Sequence, residues 1–322
     1  MNWSNFKREA LVKCRATPAG RVLVGASMIA SEPFDYFQRR RVAVRYNQQF
    51  PSSEMTSTEG YALLTPDSLP GTAEVVDLCR QLFEPKKAAL EAVASTGKKA
   101  RKEQRKKQGF MKSMLDDEDL RAHPGLVDFA LSDAVLSLVT NYLGTIPTLT
   151  RIDLLYSVPR ANPDEHISSQ LFHCDPEGLR QAKMFLNVFD VDEPQGPFIF
   201  IPANQSERLQ AAIRKERRQA GVPDDTRIPD EAVEAHGGLS MVRRLVGPAG
   251  AAAIVDTSRC LHAGSRVELG CFRLCLHIQY CTTPEPANTF DAGRFRNDPV
   301  RRLAVKRLTA ADSPWARSSR LS

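Results

Sequence analysis

His173-Cys174-Asp175 stands near the middle of the chain, and the residues after it decide the fold. They run Lys183-Met184-Phe185-Leu186-Asn187-Val188-Phe189, then a polar turn, Asp190-Val191-Asp192-Glu193-Pro194-Gln195-Gly196-Pro197, then Phe198-Ile199-Phe200-Ile201-Pro202. Working outward, Ile152-Asp153-Leu154-Leu155-Tyr156-Ser157 precedes the triplet and is closed by Pro159. Gly250-Ala251-Ala252-Ala253-Ile254-Val255-Asp256 and Phe272-Arg273-Leu274-Cys275-Leu276-His277-Ile278-Gln279-Tyr280 lie further on. Short apolar runs with polar punctuation read as strands of an all-β core. His173 and Asp175 are two apart, so on a strand or its end both side chains project to one side. A second histidine stands in Leu261-His262-Ala263-Gly264, 87 residues after Asp175.

Two imidazoles and one carboxylate can occupy one face of an octahedral metal and leave three positions open for a chelating molecule and dioxygen, the donor set of non-heme Fe(II) sites. Taken alone, an H-x-D triplet is common. The ordered set of triplet, strands, turn and distant histidine is far more specific.

In that order the set resembles the phytanoyl-CoA dioxygenase family of Fe(II)/2-oxoglutarate oxygenases. The resemblance covers residues from about 59 to 283. It rests on the H-x-D, the strand ending Phe189-Asp190-Val191-Asp192, the turn and strand Gly196 to Pro202, and Asp256 to Gly264. It implies a mainly β fold with flanking helices, the double-stranded β-helix or jelly-roll (cupin-like) barrel. It also implies Fe(II) on His173, Asp175 and His262, 2-oxoglutarate as cosubstrate, and O2. The implied reaction hydroxylates an unactivated C–H bond with release of succinate and CO2. Arg273, eleven residues after His262, sits where the family places its 2-oxoglutarate arginine. One departure is Ala203-Asn204-Gln205-Ser206, where the family often has Gly-Ser-His after Ile-Pro. Retention of Asp175 disfavours halogenation, for which relatives have lost the carboxylate.

The residues around these positions have readings of their own. A guanidinium offers a carboxylate two parallel hydrogen bonds. Arg273 lies in an apolar-rich run, where an unpaired charge is expensive. Asn187 and Tyr156 are candidate 2-oxoglutarate contacts, a packed core tyrosine being the rival reading for Tyr156. Lys183 is expected at the barrel rim. His277 either lines the pocket or is hydrogen-bonded in the core, and Asp256 either orients a ligand imidazole or caps a turn.

Composition excludes several classes. The chain has 322 residues, 42% apolar and 25% charged, as in ordinary globular proteins. It has no apolar run of the roughly 18 residues a membrane span needs, and its N-terminus lacks a secretory h-region. Seven scattered cysteines without C-x-x-C suggest thiols in a reducing compartment, hence a cytoplasmic protein. Between Lys98 and Lys112 eight basic residues face one acid, Glu103, so this segment alone accounts for the net charge of +6. It is a solvated face, or a contact with an anionic substrate or an anionic membrane. Without aromatic interleaving it does not point to nucleic acid.

The chain divides into an N-terminal extension (1–56), the oxygenase-like domain (57–283) and a polar C-terminal tail (284–322). The extension reads as a short helix, an irregular stretch and a linker. Tyr61 to Leu64 reads as the first strand. One helix capped by Asp67 or Ser68 is expected through Phe83, and another over Leu126 to Tyr142, ended by Gly144. Residues 206–246 interrupt the β pattern as a charged, helix-prone insertion, expected to act as a lid. The substrate is expected to be a small molecule, or acyl- or lipid-linked. The rival readings are a cupin-like metal protein with a non-oxygenase task, and a membrane- or partner-docking protein built on the segment 98–112.

Overall fold

The computed structural model describes residues 18–94, 109–160, 165–176, 180–223, 225–282 and 290–305. Among the described residues nine strands form two antiparallel sheets. The larger holds β1 (Tyr61–Leu64), β2 (Met111–Ser113), β3 (Thr148–Ser157), β4 (Gln181–Asn187), β7 (Ala252–Val255) and β9 (Arg273–Cys281), in the order β1-β7-β4-β9-β3-β2. The smaller holds β5 (Ile199–Phe200), β6 (Arg243–Arg244) and β8 (His262–Ala263), in the order β6-β5-β8. The two sheets face each other as the double-stranded β-helix that the sequence implied.

Alternation assigns the faces of the larger sheet. Ile152, Leu154 and Tyr156 on β3, Met184 and Leu186 on β4, and Leu274, Leu276 and Ile278 on β9 point outward into one apolar cluster shared with helices. The opposite residues of the same strands point inward: Lys183 and Phe185, Cys275, His277 and Gln279. Every residue of β4 and β9 is buried, so the inward polar groups are covered by the smaller sheet. That sheet turns Phe198 and Phe200 inward, and Ile199 and Ile201 outward to a separate cluster.

The helical layer is thicker than the sequence suggested. The described extension is two helices, α1 (Pro18–Ser31) and α2 (Pro33–Gln49), followed by the irregular linker from residue 50 on, so the irregular stretch expected before the linker is helical. Arg39 anchors α2: its Nε donates to Asp35 at 2.7 Å and its Nη1 to the carbonyls of Ile146 and Pro147, both at 3.2 Å. The helix expected through Phe83 is α3 (Thr72–Ala94); Pro66–Ser68 forms a separate 3-10 turn before it. The single helix expected over Leu126 to Tyr142 is instead α5 (Gly125–Ala130) and α6 (Asp133–Leu143), which follow the short α4 (Asp117–Ala122). Ser132 makes the break, because its Oγ accepts from the Val135 amide as an N-cap. Gly144 closes α6 in the left-handed region at φ 67°, as expected.

The 206–246 insertion forms α7 (Ala203–Gln219) and α8 (Asp230–Glu234). Leu209, Ile213, Ile228 and Val233 pack on Ile199 and Ile201, the outer face of the smaller sheet. In the tail, α9 (Pro299–Val305) buries Leu303, Ala304 and Val305 against the helical layer. The basic run lies outside the described residues except at its end, where Lys112 pairs in β2 with Tyr156 of β3. Among the described residues no helix is long and apolar enough to cross a membrane.

Arg39→Met takes the guanidinium away from buried Asp35 and from two carbonyls. Removing one partner of a buried ion pair costs about 3–5 kcal/mol. Urea unfolding of the variant should show a loss of that order, whereas Arg40→Met, at an exposed position, should leave the midpoint nearly unchanged.

Candidate metal centre

The site begins with main-chain pairing. His173 N donates to His262 O at 3.0 Å and His262 N donates to His173 O at 2.9 Å, which sets the two residues directly opposite each other. Their ring centroids are 4.2 Å apart. Asp175 N donates to Thr257 O at 2.7 Å, which fixes the third residue two places on. The donor atoms of His173, Asp175 and His262 all lie within 4.8 Å of one another. Asp175 Oδ1 is 3.7 Å from His173 Nε2, and Oδ2 is 3.3 Å from His262 Nε2.

Both imidazoles are oriented by their own strands. His173 Nδ1 donates to Leu171 O at 2.8 Å, and His262 Nδ1 to Cys260 O at 3.0 Å. A proton held at Nδ1 leaves Nε2 as the lone-pair donor on each ring, the tautomer a metal ligand needs. Burial, with the nearby His262, pushes the His173 pKa down to about 2, so the ring is neutral. Burial opposes ionisation of Asp175. The Lys183 ammonium, with His262 and His173, overrides that and holds the carboxyl well below the usual carboxylate range. Two imidazole nitrogens and one carboxylate oxygen, converging on one point, fit a single divalent ion.

The three residues open into a cavity of about 610 Å³ between the sheets. Phe185 and Phe198 stack across it with centroids 3.8 Å apart. Arg273 lines the cavity and is buried, 6% exposed. Its Nη1 donates to Gly196 O at 2.6 Å and its Nη2 to Ser265 Oγ at 3.1 Å, while Nε has no partner among the described residues. Burial pushes its pKa down from the ordinary arginine value. Both partners are neutral, and no described carboxylate pairs with this guanidinium.

The remaining expectations divide. Asn187 is buried on the inward face with Nδ2 lacking a described partner, but it is not among the residues lining the cavity. Tyr156 points the other way: in phase with Ile152 and Leu154, it packs on Phe83 and Phe272 at 5.1 and 5.8 Å in the outer apolar cluster. The core reading therefore replaces the cosubstrate contact for Tyr156. Lys183 is not at the rim. It is 7% exposed inside the barrel, with Nζ 2.7 Å from Asp175 Oδ2. His277 lines the cavity. Asp256 caps a turn, its Oδ1 accepting from Ser258 N and Oγ and its Oδ2 from Tyr142 Oη, and it does not touch either ligand imidazole. No described residue of the 206–246 insertion lines the cavity. Its attachment to the smaller sheet's outer face gives the lid expectation no support.

Two contributors went unread. Ser265 sits in the left-handed region at φ 62°, a strained placement for a non-glycine residue. There its Oγ meets both Arg273 and Ser157. Gly196 supplies the other Arg273 acceptor at φ 65°, where a Cβ would come within 2.5 Å of the Arg266 backbone. The signals were present as Gly196 in the turn and Ser265 directly after His262-Ala263-Gly264.

No family model matches the chain, and no curated protein matches it. Solved structures do align with it. HygX from Streptomyces hygroscopicus, with nickel and 2-oxoglutarate bound, aligns at 14% identity over 72% of this chain and 86% of its own, with a TM-score of 0.44. EctD from S. alaskensis, with 2-oxoglutarate and 5-hydroxyectoine, aligns at 14% identity over 72% and 77%, TM-score 0.44. The non-heme alpha ketoglutarate dependent epimerase SnoN from nogalamycin biosynthesis aligns at 16% identity over 75% and 82%, TM-score 0.40.

The neutral, buried His173 has a consequence for pH. Folded, its pKa is about 2; unfolded, about 6.5. The unfolded chain therefore binds the extra proton between these values, so stability is full above about 6.5 and falls as pH drops, by up to about 1.4 kcal/mol per unit. Denaturant unfolding of metal-free protein at pH 7, 6 and 5 should show this decline, and His173→Gln should flatten it. An unchanged slope in that variant would contradict the assignment.

Proposed function

We propose that the chain is an Fe(II)/2-oxoglutarate-dependent dioxygenase of the phytanoyl-CoA dioxygenase type, which hydroxylates an unactivated C–H bond and releases succinate and CO2. The observation that carries the reading is the buried Arg273 guanidinium, which opens on the same cavity as the three-residue metal site. A buried charge needs a counter-charge. Its Nη atoms hold only neutral acceptors and its Nε holds none, so a ligand carboxylate completes it. A dicarboxylate with a 2-keto group satisfies both ends at once, one carboxylate on Arg273 and the keto acid at the metal.

In this reading His173, Asp175 and His262 hold Fe(II). Fe(II), 2-oxoglutarate and O2 together supply the oxidising power that a side chain lacks. The protein's own work is positional. Leu171 O and Cys260 O fix the imidazole tautomers. Gly196 O and Ser265 Oγ fix the guanidinium. Phe185 and Phe198 shield the cavity wall from water. Asn187 remains a candidate cosubstrate contact through its Nδ2. The proposed substrate is a small molecule or an acyl- or lipid-linked one, and a reducing cytoplasm suits both Fe(II) and the free cysteines.

A non-oxygenase cupin-like protein would retain the triad with no need of Arg273. The docking alternative rests on the segment 98–112, most of it outside the described residues, and no described contact favours it.

Asp175→Ala should remove most bound iron and all turnover, as read by metal analysis and succinate release. Full iron occupancy in that variant would sink the metal assignment. Arg273→Leu should leave iron binding largely intact while weakening 2-oxoglutarate by about two to three and a half decades, from a loss of about 3–5 kcal/mol for a buried charged pair. Calorimetry finding unchanged 2-oxoglutarate affinity would remove Arg273 from the role.

A further inference from the structure

Strand register places two cationic side chains and an amide abreast on the cavity wall. Arg151 of β3 pairs with Gln279 of β9, and Gln279 pairs with Lys183 of β4. All three line the cavity. Neighbouring strands lie about 4.8 Å apart, so the backbones that carry the two cations are about 10 Å apart, with Gln279 between them. Arg151 donates one nitrogen to buried Asp153, and its other nitrogens have no hydrogen-bond partner among the described residues. Half of the Arg151 side chain is open to solvent. Lys183 contacts Asp175, the carboxylate of the metal triad.

The charge around the cavity does not balance. Its described lining holds three cations, Arg151, Lys183 and Arg273, against one carboxylate, Asp175. A divalent metal and 2-oxoglutarate carry equal and opposite charge, so binding both does not alter this excess. It does relocate it. Arg273 is then answered by the far carboxylate, and Asp175 is shared with the metal. The Lys183 ammonium is left with less of its partner, in a site that solvent cannot screen well. Asp153, two residues on in β3 and on the same inward face, answers Arg151, which leaves an excess of one positive charge at the row.

Resting on the oxygenase reading, we propose that the Arg151–Gln279–Lys183 row is the substrate subsite, and that it selects a substrate bearing an anionic group, a carboxylate or a phosphate. Gln279 spaces the two cations, its Nε2 being already engaged with Gln181 Oε1 and Cys281 Sγ, and two separated cations suit an oxyanion with several acceptor oxygens. A neutral or cationic substrate would leave Lys183 under-compensated beside the metal. Arg151, at the open side, meets the substrate first, so it acts on affinity more than on the metal.

The test uses full-length protein loaded with Co(II) and N-oxalylglycine, which occupy the metal and cosubstrate positions. Inorganic phosphate and benzoate are the anionic probes, benzamide the neutral one, all read by calorimetry. Co(II) absorption reports in each sample whether the metal site is intact. Both anions should bind and benzamide should not. Arg151→Gln should weaken both anions about tenfold or more with an unchanged Co(II) spectrum. Lys183→Met should weaken them at least as much and shift that spectrum, since it touches Asp175. If a variant fails to fold, the wild type must still lose anion affinity, about tenfold, as sodium chloride rises from 20 to 500 mM. Absent anion binding, equal binding of benzamide, or binding indifferent to Arg151→Gln and to salt overturns the subsite in loaded protein while the oxygenase reading stands. Failure of Co(II) or N-oxalylglycine to bind overturns both.

Discussion

The amide of His173 donates to the carbonyl of His262, and the amide of His262 donates back, at 3.0 and 2.9 Å. This reciprocal pair joins two segments 89 residues apart in sequence and is the constraint from which the site follows. It brings the imidazoles face to face before any metal is considered. Each ring is then aimed by a carbonyl two residues earlier in its own segment. Convergence of the donor atoms is therefore a property of strand pairing, the most rigid kind of contact available, and the metal has little ordering left to impose.

The same pairing divides the larger sheet into two unlike faces. Its outward face is apolar and merges with the helices, which provides the burial that holds the barrel together. Its inward face carries Lys183, Asn187, Arg273, His277 and Gln279, all buried. Burying such groups is unfavourable without partners. Some partners are internal: Lys183 has Asp175, and Gln279 donates to Gln181. Among the described residues Arg273 Nε and Asn187 Nδ2 have no internal partner, and in the oxygenase reading a ligand answers the first. The outward face supplies the stability, and the inward face holds the deficit that the proposed activity uses.

Much of this was legible in sequence, because strand alternation and the H-x-D spacing are local. The strands and the H-x-D came from such patterns, and Arg273 from the family resemblance that they carry. Tyr156 shows how the same pattern was underused: Ile152, Leu154 and Tyr156 share a phase, and that phase is the apolar one. Lys183 was placed at the rim because lysine is rarely buried. Its partner, Asp175, stands eight positions earlier, before β4 begins, and a contact of that kind is not written in periodicity. The helix break at Ser132 was readable as Ser-Asp after Leu131, a capping signal inside a helical pattern. The packing of the extension was not, since Arg39 meets carbonyls more than a hundred residues away.

The two ends of the proposed cosubstrate site are tied together by one short piece of chain. His262 is a metal-site residue; three positions later Ser265 holds Arg273, and the next residue, Arg266, blocks any side chain at position 196. Arg266 in turn donates to Asp230 and to Gln170 O, with Gln170 lying just before His173. A shift of this segment would therefore move the imidazole and the guanidinium together and preserve the distance between them. That distance is what a chelating dicarboxylate measures. The strain accepted at Ser265, φ 62° on a residue with a side chain, is explained by this role. Glycine there would relax the backbone but remove the hydroxyl that Arg273 requires.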